Sequence, residues 1–236
     1  GLSGVLMSIK KIDKKQNSLK YLNFTTLALA ISLPIVFKIT LATKIDFLNL
    51  FNPATNLIPL IINVVVLLVP FFLIGISLIL IFSIFSDEIG KLYFIDLIGA
   101  ALGGLLIIPL ISLLGPSKII LIISLIFLIL WLMLSEKRDG KKLATFATIF
   151  IALGVVFYFS NSLLEIVPKI SKRDYREHHR RKKIEYSKWS PINKIDVAKF
   201  MKTRKIVWLN GGTQQSYLLK ENRSDLRRRR VQPILW

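Results

Sequence analysis

Residues 57–85 read LIPLIINVVVLLVPFFLIGISLILIFSIF. No side chain in this stretch carries a charge, and its only polar groups are Asn63, Ser77 and Ser83. A helix needs roughly 20 mostly apolar residues to cross a hydrocarbon core about 30 Å thick. The run from Leu57 to Phe85 exceeds that, so it predicts a membrane span whose extra length is absorbed by tilt or by a kink at Pro70. Proline lacks the backbone N–H that would complete the helical ladder at that point. Pro59 falls in the first turn, where a missing N–H costs little.

Working outward, Tyr21–Ala42 predicts a span that contains Pro34 and carries Lys38 near its far end, within snorkelling reach of the headgroups. On the other side, Asp87-Glu88-Ile89-Gly90-Lys91 makes a tight connection to Leu92–Leu114. Gly115-Pro116 is a turn signal, and Ile119–Leu134 follows, almost pure Ile and Leu with Trp131 near one interface. A charged loop, Glu136–Lys142, leads to Leu143–Phe159, which closes on the interfacial aromatics Phe157, Tyr158 and Phe159. The opening Gly1–Met7 is apolar but too short to cross. It reads as the tail of a span, and with no initiator Met the natural start is expected upstream.

Composition supports this division. The 236 residues are 53% hydrophobic and yet carry a formal charge of +19. A soluble domain would expose that apolar excess as large adhesive patches. Residues 1–160 contain 13 Lys and Arg against 7 Asp and Glu, whereas residues 161–236 contain 20 against 7. The expected fold is therefore mainly α: a polytopic helical membrane domain of about five spans over residues 1–160. A basic juxtamembrane helix and a short β-hairpin-like region follow over 161–220, then a disordered Arg-rich tail over 221–236. Within the middle region, 162–183 reads as a helix, apolar first and then basic. Glu185–Phe200 and Lys205–Leu219 read as a pair of β segments, with Gly211-Gly212 as a hairpin turn. The expected location is the cell membrane, as a multi-pass protein. The basic loops 10–20 and 137–142, four spans apart, share one side, which the positive-inside bias makes cytoplasmic. Five spans then place the basic C-terminal segment on the opposite face, against the same bias.

Chemistry-bearing residues are few. Absence of cysteine excludes disulfides, thiolate zinc sites and a cysteine nucleophile. Asp96 is the only acid within an apolar run; at membrane depth it is a functional candidate, and near the interface it would simply favour the positive end of its helix. Gly99 and Gly103 form a small-xxx-small pair suited to close helix packing. His178 and His179 are adjacent and belong to a solvated or headgroup-facing basic run. The Lys169–Lys183 cluster suits anionic lipid headgroups and disfavours nucleic acid as the partner. No metal-ligand spacing, phosphate loop or Ser-His-Asp arrangement is present, so no catalytic residue, metal or cofactor is expected.

Three stretches carry a family resemblance. Pro70-Phe71-Phe72-Leu73-Ile74-Gly75, and then Gly90-Lys91-Leu92-Tyr93-Phe94-Ile95-Asp96-Leu97-Ile98-Gly99-Ala100-Ala101-Leu102-Gly103, resemble two successive spans of spermidine synthase-like membrane proteins. Trp189-Ser190-Pro191-Ile192-Asn193-Lys194-Ile195-Asp196-Val197 and Val207-Trp208-Leu209-Asn210-Gly211-Gly212-Thr213-Gln214 are similar to the β-hairpin region that precedes the catalytic domain of polyamine aminopropyltransferases. The resemblance implies that Gln214 borders the polyamine and nucleoside sites, and that Asn210 stands where the family has Asp. It further implies a Rossmann-like catalytic domain downstream, and places the C-terminal segment with a cytosolic nucleoside substrate. No such domain's pattern follows Gln214, so the chain is expected to be a fragment that anchors such a protein and is not itself catalytic. Its expected partners are the bilayer, a second copy or the missing catalytic domain. The competing expectation is a small transporter or scaffold with Asp96 in a polar pathway.

Overall fold

The structure, a computed structural model, describes residues 15–43, 53–135, 139–166, 173–181, 183–201, 204–210 and 214–219. Two compact units divide the chain, residues 1–170 and 171–236, and each is described by itself.

Four helices in the first unit are long and apolar enough to cross a membrane. They are α1 (Lys15–Ala42), α2 (Pro53–Ile84), α3 (Ile89–Met133) and α4 (Gly140–Tyr158), with a short α5 (Ser160–Leu163) after them. Helix α2 runs continuously through Pro59 and Pro70. The third and fourth apolar runs of the sequence are joined in α3, but not as one straight rod. Gly115 sits inside it at φ 75° and ψ 161°, a non-helical conformation at a positive φ that a side-chain-bearing residue would resist. Pro116, with its φ fixed at a helical value, restarts the helix directly. The two limbs, 89–114 and 116–133, are roughly 39 Å and 27 Å long at 1.5 Å per residue, each close to or above a bilayer's hydrocarbon thickness.

The surface of this unit is inverted relative to a soluble protein. Phe71 is 70% exposed and Leu113 is 79% exposed, while Thr25, Thr26, Asn63, Ser77 and Ser124 are buried. In a bilayer, hydrocarbon would solvate the outward apolar side chains, and polar ones would have to turn inward to find partners. Ser77 Oγ donates to Thr25 Oγ1 at 2.9 Å between α2 and α1, and Asn63 Nδ2 donates to Thr43 Oγ1 at 2.7 Å. Asn23 Nδ2 donates to the Trp131 carbonyl at 2.8 Å and to Ser135 Oγ at 3.2 Å. Far along α1, Lys38 Nζ donates to the Leu163 carbonyl, and Ser117 Oγ donates to the Leu164 carbonyl at 2.7 Å.

These contacts sort the bundle into two ends. Leu19, Leu22, Ile84 and Leu134 cluster at one end. The other end gathers Lys38, Ser117, Leu163 and Leu164. Between them, Ala30, Leu121, Leu128, Trp131 and Leu153 form the apolar core shared by α1, the second limb of α3 and α4. The first limb of α3 stands apart: no residue from Ile89 to Leu114 is buried.

The second unit is a helix on a sheet. Helix α6 (Arg173–Arg180) precedes β1 (Ile184–Trp189), β2 (Lys194–Met201), β3 (Arg204–Leu209) and β4 (Gln214–Leu219), an antiparallel meander in the order β1-β2-β3-β4. Each expected β segment is thus itself a hairpin. In the first, Ser190 Oγ accepts from the backbone N–H of Ile192 and of Asn193 and closes the turn at Ser190-Pro191, which the sequence reading took for a segment boundary. Of the expected helix over 162–183, α5 ends at Leu163, residues 164–166 are not helical, and a helix is present again over 173–180; residues 167–172 lie outside the described residues, as do Gly211, Gly212 and the tail 221–236.

Interhelical hydrogen bonds in membrane proteins contribute about 0.6 kcal/mol on average and rarely exceed about 1.7 kcal/mol. Asn23→Leu removes both donors to the end of α3 and should cost about 1 kcal/mol, measured as a lower melting temperature in detergent. An unchanged melting temperature would show that this tie does not hold α1 to α3.

Candidate functional site

The sequence singled out Asp96 and Gln214 as binding candidates and Gly99 and Gly103 as a packing pair. Asp96, Gly99 and Gly103 all lie on the first limb of α3, and all are exposed. A side chain added at Gly99 or Gly103 would meet nothing within 4 Å, so no helix of this chain lies against that pair among the described residues. Gln214 opens β4 in the other unit, its backbone in register with Leu209 of β3. Asp96 and Gln214 therefore belong to different units.

The register of the sheet gathers several of the resemblance residues at one end. Leu209 pairs with Gln214 on one side and with Ile195 on the other. Asn210, next in line, adopts φ 48°, a left-handed conformation that asparagine tolerates better than most residues. Its N–H donates to the Lys194 carbonyl at 2.8 Å, and its Oδ1 accepts from the Lys194 N–H at 2.9 Å. Its Nδ2 donates to Asn193 Oδ1 at 2.8 Å. An aspartate could accept from Lys194 but could not donate to Asn193. The amide at position 210 thus locks the β1–β2 turn to the end of β3, a structural task distinct from recognising an amine.

At the centre of the unit lies a cluster that sequence reasoning missed. Inward positions alternate along the strands, as the two-residue period of a strand requires: Asp196 and Ala198 on β2, Ile206 and Trp208 on β3, all buried. Asp196 and Trp208 are direct cross-strand partners. Tyr175 of α6 caps them, fully buried, and its hydroxyl donates to Asp196 Oδ2 at 2.8 Å. Lys194 Nζ lies 3.6 Å from the same oxygen and 5.8 Å from the centre of the Trp189 ring. Among the described residues, Asp196 Oδ1 and Trp208 Nε1 have no hydrogen-bond partner.

The two histidines stand beside this cluster. His178 packs edge-on against Trp208 with ring centres 5.2 Å apart, and His179 lies 5.8 Å from Tyr175. Positions three and four residues after Tyr175 share its helix face, and both histidines are half-buried there, with His178 against the sheet. The signal available in the sequence was the alternation Lys194-Ile195-Asp196-Val197-Ala198, which puts Asp196 on the same face as a small apolar residue.

On the sheet's exposed side, Glu185 bridges two lysines. Lys205 Nζ donates to Glu185 Oε2 at 2.7 Å and holds that carboxyl below the usual carboxylate range, and Lys199, 3.4 Å from Oε1, adds to the effect. Within the helical unit, an apolar cavity of about 250 Å³ lies between α1, α2 and α3 beside Pro70 and Phe71. Thr40, whose hydroxyl has no hydrogen-bond partner among the described residues, lines it. No protein-family model, curated protein or solved structure matches the chain.

Two outcomes follow for the sheet unit. Tyr175→Phe removes a hydrogen bond to the buried Asp196 carboxyl and should destabilise the unit by roughly 1.5–3 kcal/mol, read from its unfolding midpoint. A midpoint equal to the parent's would mean that the carboxyl is satisfied without Tyr175. Because the folded Glu185 carboxyl ionises at a lower pH than the unfolded one, its contribution is present above about pH 4.3 and is lost as pH falls through the folded value. Glu185→Gln should therefore lower stability at neutral pH and converge with the parent in acid. A pH-independent difference would sink this assignment.

Proposed function

We propose that these residues form the membrane-anchoring part of a spermidine synthase-like protein, a multi-pass protein of the cell membrane that is not catalytic through this part of the chain. The observation that carries the reading is the succession of its resemblance stretches. The run bearing Asp96, Gly99 and Gly103 occupies a membrane-length helix limb, and the described residues of the Trp189–Val197 and Val207–Gln214 stretches lie in the strands and turns of a separate small unit.

Five crossings are the topology that this reading adopts. Ile84 packs beside Leu19 and Leu22, whereas Ser117 bonds the carbonyl of Leu164 at the end that holds Lys38. In this reading the segment between Ile84 and Ser117 passes from one end of the bundle to the other, and the second limb of α3 passes back. In the proposed scheme Gln214 borders the small-molecule site, and the remainder of that site is contributed from outside this stretch of chain.

A second reading, a small transporter or scaffold, draws on the exposure of Asp96. A carboxylate on the outer face of a span costs a few kcal/mol in lipid unless a pathway or another helix shields it. Uptake of substrate by this chain alone would favour that reading.

Aminopropyl transfer requires a bound sulfonium donor, an amine aligned with its propyl carbon and a group that keeps the amine unprotonated. One neutral amide at Gln214 supplies none of these by itself. The purified chain should therefore form no spermidine from putrescine and decarboxylated S-adenosylmethionine above a denatured control. Turnover would overturn the proposal.

A further inference from the structure

We propose that the cavity where the ends of α1, α3 and α4 meet binds the phosphodiester headgroup of an anionic bilayer lipid. The proposal depends on the helices lying in a bilayer, and not on the polyamine reading.

The cavity measures about 230 Å³ and is lined by Lys20 and Asn23 of α1, Ser135 after α3, Asp139 and Lys142 at the start of α4, and two leucines. A single water needs roughly 10–15 Å³ on this kind of measure, so the space suits a polar group of several heavy atoms. Two lysines from distant parts of the sequence line it, one from each of the basic loops that the charge pattern placed on one side. Bringing like charges together is unfavourable unless an anion lies between them. Asp139 offsets one of the two, so that the described lining residues carry a net single positive charge, the complement of a phosphodiester. Helix α4 begins here, and the Asp139 side chain makes no capping bond to it, so its positive dipole end adds to the same potential.

The floor is built before any ligand arrives. Asn23 Nδ2 donates to the Trp131 carbonyl and to Ser135 Oγ, and Ser135 Oγ in turn donates to the Trp131 carbonyl at 2.9 Å. A pre-organised floor spares the ligand the cost of ordering it.

Depth points to a lipid and not to a soluble anion. The two lining leucines, Leu19 and Leu134, also pack against the apolar cluster of Leu22, Leu80 and Ile84 just inside the bundle. The cavity therefore straddles the boundary between charged and apolar surface, where a lipid phosphate sits above its acyl chains. None of its lining residues belongs to the basic run at Lys169–Lys183.

The test uses the full chain in phosphatidylcholine nanodiscs doped with phosphatidylglycerol, with bound lipid counted by native mass spectrometry. Replacing both lysines, Lys20→Gln with Lys142→Gln, should weaken phosphatidylglycerol retention roughly 30-fold, from the usual contribution of a cation beside an anionic lipid. Asp139→Asn should strengthen it. Lys91→Gln, at an exposed lysine paired with Glu88, should change nothing. The melting temperature of each variant in phosphatidylcholine alone should match the parent, which separates lost binding from lost folding. Equal retention by the double variant would overturn the proposal, and so would an equal loss in Lys91→Gln, which would mark a general surface attraction. Displacement of the lipid by inorganic phosphate would assign the cavity to a soluble anion and overturn it as well.

Discussion

A polar side chain on a helix surrounded by hydrocarbon has nowhere to place its hydrogen bonds except on another helix. That constraint organises the first unit. The apolar residues of α1, α2 and α3 would be equally content facing lipid or protein, so they cannot by themselves choose which faces meet. The sparse polar groups can. Thr25 and Ser77 set α1 against α2, Asn23 sets α1 against the end of α3, and Ser117 sets the start of its second limb against the chain that follows α4. The helices are thereby fixed in depth as well as in direction. Contacts at both ends of α1 agree on an antiparallel partner in the second limb of α3.

Where such polar ties are missing, packing is missing too. Among the described residues, no hydrogen bond ties the first limb of α3 to α1, α2 or α4, and none of the limb's residues is buried. Its Ala and Gly surface is smooth enough for another helix to approach, but smoothness alone selects no partner within the chain.

Helix positions were legible because the spans are long and apolar, a property that depends on composition and not on partners. The break at Gly115-Pro116 was legible for the same kind of reason: a residue free to take a positive φ precedes one that cannot continue the ladder. What could not be read was tertiary. The pairing of Tyr175 with Asp196 and of His178 with Trp208 joins residues far apart in sequence, and a basic run gives no sign that its rings will turn onto a sheet. The number of strands was missed because Ser190-Pro191 resembles a loop between elements, while its hydroxyl in fact closes a tight turn within one. Asn210 was seen as a departure in charge, whereas its amide is used for donating to Asn193.

The central proposal is that α3 makes two crossings joined at Gly115, which would put its start and its middle on opposite faces of the membrane. The chain contains no cysteine, which makes the test direct. Single cysteines placed by Asp87→Cys and Lys118→Cys can be probed with an impermeant thiol reagent applied to sealed cells and then to inverted vesicles. The account predicts that the two positions label from opposite sides. Labelling of both from the same side would contradict it.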